Sequence, residues 1–146
     1  MDYRKTMLRF SEALGKVNAS YAMIAQKYEM TYNLLMVFYI IDEWENITQR
    51  DVCDKLYLSK STVNSMLNDL RKQGYVELIP GRNKKEKFIV FTDKGRELNE
   101  SIQKDTDRFE GKVLEWFGVD NSIEFLEHAE KLSDRMFQMA AEVISE

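Results

Sequence analysis

Several residue types that build stapled, metal-bound or membrane-spanning proteins are scarce in this chain of 146 residues. Its one cysteine, Cys53, cannot form an internal disulfide, and its one histidine, His128, falls short of the several His or Cys ligands of a zinc site. The longest unbroken apolar run, residues 34–41, is far shorter than the roughly 18–20 residues that cross a bilayer. No signal-peptide core follows the N-terminus. We therefore expect a cytoplasmic protein without a membrane span, a metal or a cofactor.

Residues that loosen or interrupt a chain are equally few, with one proline and six glycines. They leave little room for a flexible linker, so we predict one domain over residues 1–146. A single histidine serves no convincing Ser-His-Asp set, and there is no glycine-rich phosphate loop or isolated carboxylate pair. The sequence therefore predicts no catalytic residues and a protein that is not an enzyme.

Positive charge is deficient overall but concentrated in one stretch. The formal net charge is −4, yet residues 48–95 hold ten Lys or Arg against six Asp or Glu, a net +4, which leaves −8 for the remainder. A polyanion such as DNA would meet a locally basic module in an acidic protein.

Apolar residues spaced three and four apart predict helices at both ends of the chain, over residues 7–28, 98–117 and 125–143, with a turn at Val119-Asp120-Asn121. These stripes suit either packing within one subunit or pairing between two, and their length beside a small module favours a dimer. Residues 32–44 are apolar on nearly every side. That run fits a buried strand or a buried helix capped by Thr31, and its length favours the helix.

A helix-turn-helix pattern with a hairpin fills the basic stretch. Thr48, with Asp51 three residues on, begins a short helix, a turn follows at Tyr57-Leu58, and Ser59 caps a second helix that ends at Gly74. Strands at 75–79 and 88–91 form a wing, and Thr92-Asp93 starts the next helix. We predict a mainly α fold with a small β-hairpin wing, a winged helix-turn-helix over about 31–95, with dimerisation helices at about 5–28 and 96–144.

The outer face of the second helix carries Ser, Thr and Asn, where an ordinary solvated helix carries Glu and Lys. These residues lower helix propensity but offer short donors and acceptors to base edges, and Asn pairs bidentately with adenine. A polar surface helix and a solvated basic loop are the plain alternatives, and the order of the two features favours DNA. The predicted DNA-binding residues are Lys60, Ser61, Thr62, Asn64, Ser65 and Asn68 on the helix and Arg82, Lys84 and Lys85 in the wing.

Taken in order, these segments resemble the MarR family of bacterial transcriptional regulators. The resemblance implies an intertwined homodimer that binds a pseudo-palindromic DNA operator, with the terminal helices as the dimer body and release by a small molecule, oxidation or a metal. We accordingly expect a repressor with a small-molecule effector. The segments that carry the resemblance are Met30-Thr31-Tyr32, Ile47 to Cys53, Leu58 to Val63, Leu70 to Val76 and Phe91 to Gly95.

Three positions depart from the family pattern. Its wing commonly has an Asp that orients an Arg toward the minor groove, and here Arg82 is the nearest candidate for that Arg. Tyr57 stands where many relatives have Gly. Cys53 replaces a small buried residue, and oxidation-sensing relatives carry their Cys near the N-terminal helix, so we predict that Cys53 is a packed residue and not a sensor.

Two further alternatives stay open on the sequence. A set of aromatic and Met residues lines either an effector pocket or, the favoured reading, the core. A second function class is a winged module for protein association within an enzyme or a larger assembly, its wing charge being only solubilising. The residues in the aromatic set are Tyr21, Met36, Phe38, Tyr39 and Trp44.

Overall fold

The computed structural model describes residues 1–145, which form helices and one two-stranded antiparallel sheet. Two compact units make up the chain: one runs from Met1 to Asp105 and the other begins at Thr106. The predicted fold class, mainly α with a β-hairpin wing, is confirmed. The elements are α1 Tyr3–Lys27, α2 Tyr32–Glu43, α3 Gln49–Leu56, α4 Lys60–Lys72, β1 Val76–Pro80, β2 Lys87–Phe91, α5 Asp93–Phe117 and α6 Val119–Ser145.

The helix-turn-helix begins at side-chain caps. Thr48 Oγ1 accepts from the backbone N–H of Asp51 at 3.2 Å, and Asp51 Oδ2 accepts from the N–H of Thr48 at 2.8 Å, a complete capping box. These bonds lower the pKa of the Asp51 carboxyl. Ser59 and Thr31 cap α4 and α2 with their side chains alone, which accept from the N–H groups of Thr62 and Leu34, so all three predicted starts are confirmed.

Helix α2 forms the centre of the core in the first unit. Five of its residues are buried, which a strand with alternating faces would not achieve over this length, and the helix prediction is confirmed. The Phe38 ring lies 5.1 Å from the ring of Phe91 on β2 and 6.4 Å from that of Tyr75. The helix therefore packs directly against the base of the wing.

The wing pairs Val76 with Phe91 at its base and Pro80 with Lys87 near its tip. Each strand lies within one residue of its predicted position. The N–H of Ile89 also donates to the carbonyl of Ile47 at 2.8 Å, which ties β2 to the segment before α3. The wing is thus anchored to the helix-turn-helix by backbone as well as by packing.

Gly95 joins the wing to α5. A Cβ at this position would lie 1.8 Å from the carbonyl oxygen of Tyr75, so only glycine allows the first turn of α5 to approach the residue before β1 this closely. Thr92 completes the joint, since its hydroxyl donates to the Gly74 carbonyl at 2.5 Å and accepts from the N–H of Gly95 at 3.0 Å.

The predicted turn at Val119-Asp120-Asn121 is wrong, because α6 already begins at Val119. Gly118, with φ +90°, alone separates α5 from α6. Asn121 Nδ2 donates to the carbonyl of Phe117 at 2.8 Å, and Ser122 Oγ donates to that of Gly118 at 2.8 Å. These side chains satisfy the end of α5 from inside the next helix, so no polar turn is needed.

The terminal helices keep apolar side chains exposed. In α1 only Ala25 is buried, and in α6 no residue up to Ser145 is. Trp116, near the end of α5, is 85% exposed. The predicted apolar stripes therefore lie on helices, as expected, but much of their surface is exposed in the single chain. The exposed members are Met7, Leu14, Val17, Val113, Phe125, Leu132, Met136 and Val143.

A polar cluster fixes the end of α1 to α5 within the first unit. The hydroxyl of Tyr28 lies 2.6 Å from Asp105 Oδ2 and 2.7 Å from the Ser101 carbonyl oxygen, and Lys27 forms an ion pair with Asp105. Burial, then the hydrogen bond to Asp105 and its charge, raise the pKa of Tyr28 to about 12. The neutral phenol is the form that this cluster stabilises.

Candidate nucleic-acid interface

The two faces of α4 differ sharply. Val63, Leu67 and Leu70 are buried in the core, and the opposite face is open to solvent. The structure places five of the six predicted helix residues on that exposed face: Lys60, Ser61, Thr62, Asn64 and Ser65.

Hydroxyl groups at the start of α4 interact with one another. The Ser59 hydroxyl lies 3.1 Å from Ser61 Oγ and 2.8 Å from Thr62 Oγ1, and it also accepts from the Thr62 N–H. Ser61 and Thr62 therefore belong to the capping network, which holds both hydroxyls at the N-terminal end of the helix. Asn64 and Ser65 follow on the next turn of the same exposed face.

Asn68 has a different environment from the rest of the predicted set. It is half-buried and lines a cleft of about 660 Å³ between α4 and β1. Arg71 and Lys72 line the same cleft, together with Glu77 on β1. Asn68 thus lies beside two cations, away from the N-terminal part of the face.

The tip of the wing is shaped by Asn83. Its Oδ1 accepts from the backbone N–H groups of Lys85 at 2.9 Å and Glu86 at 3.0 Å, while the Gly81 N–H donates to the Glu86 carbonyl at 2.9 Å. An Asn side chain that replaces backbone partners in this way stabilises a tight loop. Arg82, Lys84 and Lys85 are all exposed on it.

Glu86 holds the predicted minor-groove arginine. Its Oε2 accepts from the Arg82 backbone N–H at 2.8 Å and lies 3.8 Å from Arg82 Nε, and the Arg82 guanidinium carbon is 5.9 Å from the Phe88 ring centre. The sequence reasoning missed Glu86. The only signal in the sequence was a carboxylate four residues after Arg82.

The wing tip also influences the helix-turn-helix. The pKa of Asp51 is lowered first by its hydrogen bonds to Thr48, and then by the charges of Lys55 and Arg82. Arg82 is therefore close enough to the N-terminus of α3 for its charge to be felt there. The structure brings the two predicted groups, on α4 and on the wing, into one compact unit, in which α3 contacts both α4 and β2.

Helices α3 and α4 are tied together at their first turns. Gln49 Nε2 donates to the Lys60 carbonyl at 3.3 Å, and Gln49, Arg50, Cys53 and Lys60 line a concavity of about 340 Å³. Cys53 is half-buried and packs against the core cluster, in agreement with its predicted packing role.

The proposed aromatic set divides between core and surface. Phe38 is buried, and Tyr21, Met36 and Tyr39 pack against the core, with the two tyrosine rings 6.2 Å apart edge to face. Trp44 is not a core residue. It is nearly half exposed, and Lys55 Nζ lies 3.9 Å from its ring centre.

Residues 1–145 contain no group of three or more His, Cys, Asp or Glu side chains arranged to hold a metal ion. His128 lies 3.8 Å from one carboxylate, that of Glu124. Over the same residues, no helix has the length and apolar character that a membrane crossing requires.

Comparison with known proteins agrees with this geometry. Residues 29–85 match the model of the MarR family. The chain is 24% identical over 115 residues to the HTH-type transcriptional regulator SarZ of Staphylococcus haemolyticus, covering 77% of this chain and 78% of that protein.

Solved structures show the same fold. NMB1585, a MarR family regulator from Neisseria meningitidis, superposes with a TM-score of 0.83 at 20% identity, covering 94% of this chain and 97% of that one. The MepR–DNA complex from S. aureus superposes with a TM-score of 0.72 at 16% identity, covering 87% and 93%.

Proposed function

We propose that the chain is a DNA-binding transcriptional regulator of the MarR family, whose model matches residues 29–85, and that it acts as a homodimeric repressor that a small-molecule effector releases from a pseudo-palindromic operator. The family consists of regulators and not of enzymes. One observation carries the proposal. The exposed face of α4, which is rich in Ser, Thr and Asn, and the basic tip of the wing belong to the same compact unit.

On α4 we assign base contacts to the N-terminal part of the exposed face. Asn64 is the main base-reading residue, because an exposed Asn offers a donor and an acceptor in the fixed pair that adenine requires. Lys60, Ser61, Thr62 and Ser65 surround it. Asn68, beside the cations of the cleft, contacts the phosphate backbone.

In the wing we assign phosphate contacts to Lys84 and Lys85 and the minor-groove contact to Arg82. A loop stabilised by Asn83 presents both lysines to solvent without burying either. Glu86 restrains the Arg82 backbone and draws its guanidinium to one side. An exposed ion pair of this kind contributes about 0–1 kcal/mol, so a phosphate or a groove can compete for Arg82.

The homodimer is supported by the uncovered apolar side chains of the terminal helices. α1 and α6 are 25 and 27 residues long, and each exposes large apolar residues along its length. A patch of that extent favours burial against another surface. Light scattering at micromolar concentration should give twice the mass of 17.3 kDa; a monomeric mass would refute the dimer.

The deciding experiment is selection of bound duplexes from a random DNA pool. The selected sites should show two inverted half-sites whose centres lie about one helical turn, roughly 10 base pairs, or a multiple of it apart. Affinity for them should fall steeply with salt, by about one log-log slope unit for each phosphate contacted. Absence of binding to any duplex, or a response flat in salt, would instead support the protein-association module.

Effector release is tested with the selected operator. A compound that releases DNA lowers the affinity of the protein for DNA by some factor. By linkage, it must bind the free protein more tightly than the DNA-bound protein by that same factor. Titrating a compound library against protein with and without operator measures both affinities. If no compound in the library binds the free protein more tightly than the DNA-bound protein, the result would count against release by a small molecule. The DNA-binding assignment would still be supported by the selected duplexes.

A further inference from the structure

Tyr57, in the turn between α3 and α4, adopts a costly backbone conformation. It ends α3 with φ 53° and ψ 39°, in the left-handed region, and its N–H donates to the Cys53 carbonyl. For an L-residue with a side chain this conformation costs roughly 1–2 kcal/mol, which glycine would avoid. Strain of this sort, where it occurs, is concentrated at functional positions.

The side chain of Tyr57 lies largely in solvent. The Tyr57 side chain is 78% exposed, among the most exposed large aromatic groups of the first unit. Two other non-glycine residues among 1–145 have positive φ, Glu29 and Asn46. Asn tolerates this region well, and Glu29 lies in the link between α1 and α2, so Tyr57 is the bulky aromatic member and the one beside α4.

Tyr57 lies close to the N-terminal end of α4, the end to which the proposed function assigns the base contacts. It is two residues before the N-cap Ser59 and three before the exposed Lys60. In helix-turn-helix docking the N-terminus of the second helix enters the major groove and the first helix crosses the backbone. The turn between them then lies along the phosphates that edge the groove.

We propose that Tyr57 contacts the DNA backbone, its phenolic hydroxyl donating a hydrogen bond to a phosphate oxygen at the edge of the major groove. This inference rests on the proposed function, since it requires α4 to enter that groove. The contact adds affinity for every duplex but places no further cation against the backbone, so it releases no additional counterion.

The test compares three variants with the wild-type chain on the selected operator and on a random duplex. Tyr57→Phe removes only the hydroxyl and should weaken binding about 10-fold per half-site on both duplexes, as expected for a hydrogen bond to a charged group, with an unchanged salt slope. Tyr57→Gly should weaken binding at least as much while raising the melting temperature. Glu29→Gly, the matched control, should raise the melting temperature and leave affinity unchanged.

Failure of this inference is distinguishable from failure of the proposed function. If the wild type binds DNA and Tyr57→Phe binds equally well, the backbone contact is wrong and the regulator assignment stands. A loss confined to the operator would also overturn it, since that pattern indicates a base contact. If the wild type binds no duplex, both fail together.

Discussion

Apolar residues are mostly buried in the winged region, residues 31–95, and often exposed in the terminal helices α1, α5 and α6. In the winged region the large apolar residues of α2, α4 and β2 are mostly buried, and polar or basic side chains face outward. In the terminal helices large apolar residues remain exposed over several turns. The winged region buries its large apolar residues in a core that Ala25 of α1 and Ile102 of α5 also join. The terminal helices keep exposed apolar surface that favours burial against another surface.

That contrast separates two kinds of recognition. A surface built of short polar groups and cations suits a hydrated, charged partner such as DNA, whose interfaces with proteins are polar and contain bridging waters. A surface built of Leu, Met, Phe and Val suits a partner of the same kind, because burial of apolar area drives association. Positive charge is concentrated inside the winged region, where residues 48–95 carry a net +4 while the remainder of the chain carries −8.

The largest expected effect tests whether the buried residues of the winged region, and not the exposed apolar residues of the terminal helices, stabilise the single chain. Phe38→Ala removes a buried ring that packs against Phe91 and should lower the free energy of unfolding by about 3–5 kcal/mol. Chemical denaturation at two protein concentrations should give the same loss. Trp116→Ala, at an exposed residue, should lower the free energy of unfolding only at protein concentrations where dimers form. An equal loss of stability from both variants at high dilution would contradict the difference between the two regions.

The next effect separates base reading from phosphate contact within the winged region. Asn64→Ala should cost about 1–3 kcal/mol on the selected operator and leave random DNA unaffected. Lys84→Ala should weaken both duplexes alike and reduce the salt slope by about one. Fluorescence anisotropy measures all four affinities. Identical losses of affinity from the two variants on both duplexes would show that base reading and phosphate contact are not separated between the α4 face and the wing.

A smaller effect concerns the capping box of α3. Asp51→Asn should lower the free energy of unfolding by about 1 kcal/mol at neutral pH. Because the folded-state pKa of Asp51 is lowered, its stabilising contribution is present above the ordinary value of 3.8 and is lost as the pH falls through and below that value. The gap between wild type and variant should therefore close on acidification. A gap independent of pH would mean that the carboxylate charge is not what caps α3.

The smallest effect lies where α1 meets α5. Tyr28→Phe removes the hydroxyl that contacts Asp105 and should cost about 0.5–1 kcal/mol at neutral pH. The folded-state pKa is raised to about 12 from 10.0, so this contribution is fully present below pH 10 and is lost as the pH rises toward 12. Denaturation at pH 8 and pH 11 should show the difference narrowing; a widening difference would contradict the assigned direction.

Much of the first unit was predictable because its signals are local. Thr31, Thr48 and Ser59 cap helices with their own side chains, so sequence spacing is sufficient to locate those starts. The turn predicted at 119–121 failed for a related reason. Asn121 and Ser122 are typical turn residues, but here their side chains bond to carbonyls one turn back while their own backbone stays helical.

By itself, the sequence determined the succession of helices and wing, the polar face of α4 and the basic stretch in an acidic chain, because caps, periodicity and composition act over a few residues. Tertiary structure alone decided that Glu86 holds Arg82, that Tyr57 is exposed in a left-handed turn, and that Trp44 lies outside the core. Those facts depend on loop closure and on which faces meet. Neither is encoded at a fixed spacing along the chain.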